Sequence, residues 1–525
     1  MSLRRRVAAG VILARANFRP FERPDRLARS LLALVPWGTT LPGAVAAAAA
    51  RSPDRVAIHD DGGSITYSEL WERVQRTAGA LLDRGVGDGT RVGLLCRNHR
   101  GFVEWLVAAS ATGADVVLLN TGFAASQLAA VVSSEGVTVI IHDDEFADLV
   151  ASAGVDTCDE STMNTFARSP SSASPRREQG RVVILTSGTT GQPKGAARRS
   201  DRAAIEGVAA VLERIPFRPG DTQVIAAPLF HAWGLTNLLL GLARCTTNVL
   251  ARRFDADATL RATSAHRARV LVVVPVMLSR ILGLDPQVLA ASPTPGLRVI
   301  ASSGSALGGR LATATLDHFG PVLYNLYGST EVAVATIATP ADLLEEPATA
   351  GRVAFGVRVE ILDDRGAVVP EGTVGRVFVG GSMQFDGYTT GGSKEERDGL
   401  LSSGDLGRFR NGLLFVEGRE DDMIVSGGEN VYPAEIEELL ADHPAVDEVA
   451  VVGVADEEFG QALAAFVVRR RGTELSADEV RAHVRDHLAR HKVPRRVEFV
   501  DELPRNTTGK ILRGSLAERS GPPTT

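Results

Sequence analysis

The sequence predicts an α/β protein. It has a large N-terminal domain of two doubly wound αβ subdomains with a small β-barrel-like subdomain, then a small α+β C-terminal domain. Three observations predict this. Short apolar runs alternate with stretches of helical period through the first two thirds of the chain. From about Gly351 to Glu417 the texture changes to short strands broken by Gly and Asp turns. A compact unit with its own helices and strands follows Gly418. At 525 residues and 44% hydrophobic content, the chain is too long for one core.

The elements follow in order. Thr66–Arg84 reads as a helix, because Tyr67, Leu70, Val74, Ala78 and Leu81 recur at helical spacing and Thr66 or Ser68 can cap it. Arg91–Leu95 and Val116–Leu119 are apolar runs that suit buried parallel strands. The Ser-, Pro- and Arg-rich stretch Ser161–Gly180 reads as a loop. Val182–Leu185, Val224–Ala227, Val270–Val274 and Arg298–Ala301 read as further strands, with helical stretches such as Asp201–Arg214 between them. Val357–Leu362, the turn Asp363–Gly366 and Gly375–Val379 suit an antiparallel unit. In the end domain, Ala434–Leu440 and Ala477–Ala489 read as helices, and Val446–Val452 and Ala464–Val468 as strands.

Composition excludes several classes. A net charge of −6 from charges of both signs gives no nucleic-acid footprint. Cys96, Cys158 and Cys245 are far apart, with no metal or redox spacing, which fits a reducing cytoplasm. Leu31–Ala50 is apolar, but Pro36, Gly38 and Pro42 break it, so no spanning helix is expected. The Arg-rich N-terminus reads as a basic, poorly ordered end. The alternative is an amphipathic surface helix in peripheral contact with anionic lipid. Oligomeric state is left open.

The strongest motif is Thr186–Gly195, T-S-G-T-T-G-Q-P-K-G, directly after a buried strand. Gly188, Gly191 and Gly195 let backbone N–H groups approach an anion. Thr186, Ser187, Thr189 and Thr190 add hydroxyls, and Lys194 adds a positive charge. The loop suits a polyphosphate at the strand end where α/β ligands bind. It is not a Walker A loop, because Gly195 follows Lys194.

Together with later motifs in the same order, this loop resembles the signature of the adenylate-forming (ANL) superfamily of acyl-CoA synthetases, luciferases and peptide-synthetase adenylation domains. The likeness runs over nearly the whole chain. It implies division into residues 1–420, binding nucleotide and acyl group, and a mobile domain 421–525 pivoting at Asp421. In Tyr324–Glu331, Y-N-L-Y-G-S-T-E, it gives Tyr327 the adenine side and Glu331 the Mg²⁺, shared with Thr186. Asn325 would read the base edge, and Gly328, Ser329 and Thr330 would lie towards phosphate. Gly304-Ser305-Ala306 matches a small-residue loop beside adenine. In Ser403-Gly404-Asp405, with serine where the family usually has threonine, Asp405 would take the ribose hydroxyls, joined by Arg419. Ser426, Gly427 and Gly428 match the pantetheine route, and Lys510 in Pro504–Ile511 matches the late catalytic lysine.

The implied reaction joins a carboxylate to ATP as acyl-AMP and then to coenzyme A, with Lys510, Glu331 and Thr186 catalytic. The acid is expected to be a medium- or long-chain fatty acid. The alternatives are loading of an acyl carrier protein, or an aryl or other carboxylate–CoA ligase. The segment Pro228–Leu235 has no Asp or Glu, which suits an acyl or aryl chain over an amino acid. His231 and Gly234 are assigned to this pocket, and Trp233 reads either as the gate of an acyl tunnel or as a core residue. Two departures from the family pattern are Arg376 in place of a glutamate and the glycine-rich Thr389–Ser393. A light-emitting oxygenase and a non-catalytic nucleotide-binding protein share some of these motifs. The joint presence of Lys194, Glu331, Asp405, Arg419 and Lys510 disfavours the second.

Overall fold

The computed structural model describes residues 8–13, 24–176, 179–186, 194–196, 201–385, 387–389, 391–426, 429–456, 460–506 and 509–519. Four sheets organise it. The first has six strands in the order Asp156–Cys158, Val139–His142, Arg91–Leu95, Asp115–Leu118, Val182–Thr186, Lys194–Ala196. All pair in parallel except the last, which returns antiparallel. Val92, Leu94, Val117 and Ile140 are fully buried, as strands covered on both faces must be. Thr186 pairs with Lys194 across the neck of the glycine-rich loop.

The second sheet has nine strands, parallel through its centre. Its strands Val299–Ser302 and Leu323–Tyr327 are neighbours, with Ser302 opposite Asn325. This register sets the small-residue loop 304–306 beside the Y-N-L-Y-G-S-T-E motif, at the carboxyl ends of adjacent strands where α/β sheets hold ligands.

The third sheet is antiparallel: Arg358–Leu362, Gly375–Gly380, Leu400–Arg410 and Glu396–Arg397, with Leu413–Arg419 paired on Leu400–Arg410. That pairing places Asp405 opposite Arg419. The fourth sheet lies in the C-terminal part, and its strands are longer than the sequence suggests. They run Val446–Asp456 and Gly460–Arg469, against the expected 446–452 and 464–468. Alternate residues explain the length. Val449, Val451, Leu463 and Val467 enter one core, while Ala450, Val452, Val454 and Phe466 enter another on the opposite face.

The first long helix is Tyr67–Asp83. Thr66 is its cap, completed reciprocally by Glu69. One expected loop is partly helical: Glu160–Phe166 is an α-helix. Asp159 caps it, and its hydrogen bonds to Thr162 and Ser161 hold its carboxyl down to about 2. Met163 and Phe166 are buried, with the Phe166 ring 5.8 Å from that of Trp105. The Ser/Thr-rich composition hid an apolar pair at i, i+3. The apolar N-terminal stretch is two helices, Pro24–Trp37 and Leu41–Arg51, parted at Gly38 (φ +68°). No helix among the described residues is long and apolar enough to cross a membrane. All three cysteines are free and buried.

Candidate active site

The phosphate end is built on Lys194–Ala196. Gly195 N–H donates to Glu135 Oε1 at 3.0 Å, and the Thr389 hydroxyl donates to the same oxygen at 2.7 Å. Thr389 N–H donates to Gly195 O at 2.8 Å, and Ala196 bridges to Tyr388. A Cβ on Gly195 would lie 2.4 Å from Thr389 Oγ1, so only glycine allows this joint. The joint carries Tyr388 to the chemistry. The Lys194 ammonium stands 5.4 Å from the Tyr388 ring centroid, and the Tyr388 hydroxyl donates to Glu331 Oε1 at 3.0 Å. Burial, then the Glu331 charge, raise the Tyr388 phenol above its usual range, so it stays a donor.

At the nucleoside end, the Tyr327 hydroxyl donates to Asp405 Oδ2 at 2.6 Å and lies 3.2 Å from Ser403 Oγ. Arg419 Nη1 is 3.5 Å from Asp405 Oδ1. Burial raises the Asp405 carboxyl, against the pull of Arg419. Burial and Asp405 hold the Tyr327 phenol well above its usual range. Ser403, the departure from threonine, keeps the hydroxyl that matters, since its Oγ bonds Val377 O at 3.0 Å and takes Asp405 N–H at 3.1 Å. Asn325 is buried, and its Oδ1 has no hydrogen-bond partner among the described residues. A buried amide acceptor of this kind needs a donor, and an exocyclic amine supplies one.

The C-terminal part reaches this end. Gly509 (φ +79°) sits so near the helix Pro275–Leu282 that a Cβ would come within 2.3 Å of Val276 Cγ1. Asn506 Oδ1 accepts Lys510 N–H at 2.9 Å, and Asn506 N–H donates to Lys510 O. Lys510 is exposed as a residue, yet crowding around its ammonium and the nearby Arg419 charge lower its affinity for a proton. Asp422 and Asp405 act in the opposite sense. Lys510, Asp405 and Arg419 therefore lie within electrostatic reach of one another, although they come from both parts of the chain. Asp421 is exposed, 3.9 Å from Arg419 Nη2.

The wall segment Pro228–Leu235 is held from the other sheet. Asn98 donates to Ala227 O at 3.0 Å and accepts Leu229 N–H at 2.9 Å. The His231 ring lies 4.4 Å from that of Phe230, and burial pushes its imidazole down to about 4, so it is neutral at pH 7. Trp233 is buried and its indole N–H donates to Val273 O at 3.1 Å, a placement that suits a core residue and a closed gate alike. A Cβ on Gly234 would meet Pro228 O at 2.3 Å.

The Ser329 hydroxyl accepts Glu331 N–H at 3.2 Å, which turns it into its own loop. Gly328 is required where a Cβ would meet Ala333 O at 1.8 Å. Ser187, Gly188, Thr189, Thr190, Gly191, Gly427 and Gly428 lie outside the described residues, as do the side chains of Thr186 and Ser426. Arg376 is absorbed by ion pairs with Glu395 at 2.5 Å and Glu420 at 3.0 Å. Sequence reasoning did not single out Glu135, Tyr388 or Asn98, which the structure ties to residues expected in the site.

Glu331 fits a hard cation such as Mg²⁺, because its carboxylate meets only the neutral Tyr388 hydroxyl among the described residues. Among the described residues, the one group of three metal-ligand types with atoms inside 4.8 Å is Cys96, His99 and Asp143. That group is a structural knot. His99 Nδ1 accepts Gly101 N–H, its Nε2 bonds Asp143 at 2.7 Å, and Asp143 also takes Arg97 N–H and faces Arg252.

Comparison with known proteins gives the same picture. Residues 45–389 match the AMP-binding enzyme family, and residues 435–510 match the AMP-binding enzyme C-terminal domain. A feruloyl-CoA synthase from an Amycolatopsis species is 33% identical over 90% of this chain and 97% of its own length. A 2-succinylbenzoate–CoA ligase from Geobacillus is 31% identical, over 91% and 98%. An o-succinylbenzoate-CoA synthetase of Bacillus subtilis, solved with its acyl-adenylate intermediate, superposes with a TM-score of 0.80 at 28% identity, over 90% and 97%. The acids in these names are aromatic, so they lend no support to the expected fatty acid. The chain belongs to the AMP-binding enzyme family, within the adenylate-forming (ANL) superfamily.

Proposed function

We propose that this AMP-forming acid–thiol ligase activates an aryl monocarboxylic acid with ATP and passes the acyl group from acyl-AMP to coenzyme A. The observation that carries the reading is the packing of the Lys510 loop on Val276 at Gly509, which brings Lys510 within electrostatic reach of the Asp405–Arg419 pair.

A carboxylate is already ionised at pH 7, so no general base is needed. One carboxylate oxygen bonds to the α-phosphorus while the bond to the bridging oxygen breaks and pyrophosphate leaves. Catalysis is then positioning and charge neutralisation. In this reading Lys510 supplies a positive charge between carboxylate and α-phosphate, and Lys194 supplies another at the outer phosphates. Asp405 and Arg419 hold the ribose, and Asn325 accepts from the adenine amine. Glu331, with Thr186, would hold Mg²⁺, which neutralises phosphate charge when bound. The thiol sulfur of coenzyme A then bonds to the acyl carbon and AMP leaves. Rotation about Asp421 would exchange Lys510 for the Ser426–Gly428 face between the two steps.

The choice of acid rests on the wall. Pro228–Leu235 and Val274–Ser279 contain no lysine or arginine, and His231 is neutral. A second carboxylate would meet no cation from these segments. A neutral aromatic body suits Phe230 and His231, whose rings pair there. The acids named for the relatives are both aryl, and the feruloyl group is that of a monocarboxylic acid while 2-succinylbenzoate carries a second carboxylate. The test is AMP release with coenzyme A across a panel of hydroxycinnamic acids, benzoic acids, aryl dicarboxylic acids and medium- and long-chain fatty acids. The highest kcat/KM is expected on an aryl monocarboxylic acid. A fatty acid or a dicarboxylic acid in first place overturns the assignment.

A further inference from the structure

The helix Pro24–Trp37 lies outside the span matched to the family, which begins at residue 45. It is attached along a narrow face. Trp37 is buried with its ring 5.1 Å from that of Trp71, and Ala33 packs against the main core. The adjoining face is apolar and faces solvent. Leu27, Leu31 and Val35 recur every four residues, and Leu32 lies beside them, with Leu31 58% and Leu32 67% exposed. Of the ten large apolar side chains exposed among the described residues, these four and Val11 fall within residues 11–35. Soluble surfaces carry such side chains singly, and a stripe on one helix needs an explanation.

Charge supplies it. Residues 1–37 contain eight arginines against Glu22 and Asp25, a net of +6 in a chain whose total is −6. On the helix itself, Asp25 and Arg29 form an exposed ion pair at 2.7 Å beside the stripe. Apolar area flanked by a basic segment is the pattern of a helix that lies in a bilayer interface over anionic headgroups. A second copy of the chain is a poorer occupant. A symmetric dimer through this face would bring the same patch of each copy together, and with it one basic segment against another.

We propose that the helix Pro24–Trp37 docks this enzyme peripherally on an anionic lipid surface. Leu27, Leu31, Leu32 and Val35 enter the interface, and the arginines of residues 1–37 meet the headgroups. No helix among the described residues spans the bilayer, and the adenylation machinery keeps its own fold above it.

The test is co-sedimentation of the full chain with phosphatidylcholine vesicles and with mixed phosphatidylcholine–phosphatidylglycerol vesicles. The parent should bind the anionic vesicles, release with added salt, and stay in solution with phosphatidylcholine alone. A variant carrying Leu27→Ser, Leu31→Ser and Leu32→Ser should fall to the phosphatidylcholine level while retaining ATP–pyrophosphate exchange, because these side chains touch nothing in the active site. Absence of binding by the parent to anionic vesicles overturns the proposal, and so does equal binding by parent and variant. A concentration-dependent dimer abolished by the same substitutions, without vesicle binding, assigns the face to a second copy and also overturns it. If the variant fails to fold, the parent's preference between the two vesicle types decides.

Discussion

The two ends of the active site are built by different means. At the nucleoside end, Tyr327, Ser403 and Asp405 are tied by side-chain hydrogen bonds of 2.6–3.2 Å, and the carboxyl is buried. At the phosphate end the ties run through backbone, from Gly195 to Thr389 and Glu135, and the charged groups Lys194 and Glu331 meet around one phenol. The difference suits the ligand proposed for each end. A nucleoside offers neutral groups at fixed angles, which a rigid buried network can match. A polyphosphate offers dense charge that changes on reaction, which calls for N–H groups and mobile cations.

The largest expected effect tests the charged end. Glu331→Ala should lower acid-dependent pyrophosphate exchange by about 10²–10³-fold, the scale of removing one electrostatic stabiliser, and excess Mg²⁺ should not restore it. Exchange within a few-fold of the parent would remove Glu331 from the metal role. A smaller effect probes the joint. Glu135→Ala strands the Gly195 N–H and the Thr389 hydroxyl, and should raise KM for ATP about tenfold, roughly 1.4 kcal/mol. Glu135→Gln keeps an acceptor and should recover most of the loss. An unchanged KM in the alanine variant would make Glu135 a fold residue only.

The smallest effect concerns the acyl wall. His231 has an unfolded value near 6.5 and about 4 in the fold. The unfolded chain therefore binds the extra proton between these values. The stability of the neutral buried imidazole is present above about 6.5 and is lost as pH falls towards 4. His231→Gln should flatten the fall of Tm between pH 6.5 and 4. An unchanged slope would place the imidazole in water.

Legibility in the sequence followed the same division. The strands Arg91–Leu95 and Val270–Val273 were readable because Val92–Leu95 and Val270–Val273 are apolar runs buried on both faces, and Val182–Thr186 because Val182–Leu185 is apolar throughout. Lys194 stood out by the composition of its loop, whereas Glu331, Asp405, Arg419 and Lys510 were singled out because their runs resemble motifs of the adenylate-forming superfamily. Glu135 and Asn98 were not. Each is a single polar residue beside the end of an ordinary element, and the partners lie 60 and 254 residues away for Glu135 and 129–131 for Asn98. No local pattern encodes such a partner. The helix Glu160–Phe166 escaped because its two buried side chains sit among Ser, Thr and Asn. The tie of the Trp233 indole to the Val273 carbonyl, 40 residues on, was no more legible.

The central claim is that Lys510 serves the first half-reaction from the place it occupies beside Asp405 and Arg419. Its direct test measures Lys510→Ala in two assays, acid-dependent pyrophosphate exchange and thioester formation from supplied acyl-AMP and coenzyme A. The account predicts that exchange falls about a hundredfold or more while thioester formation stays within a few-fold of the parent. Equal loss in both, or intact exchange, would contradict it.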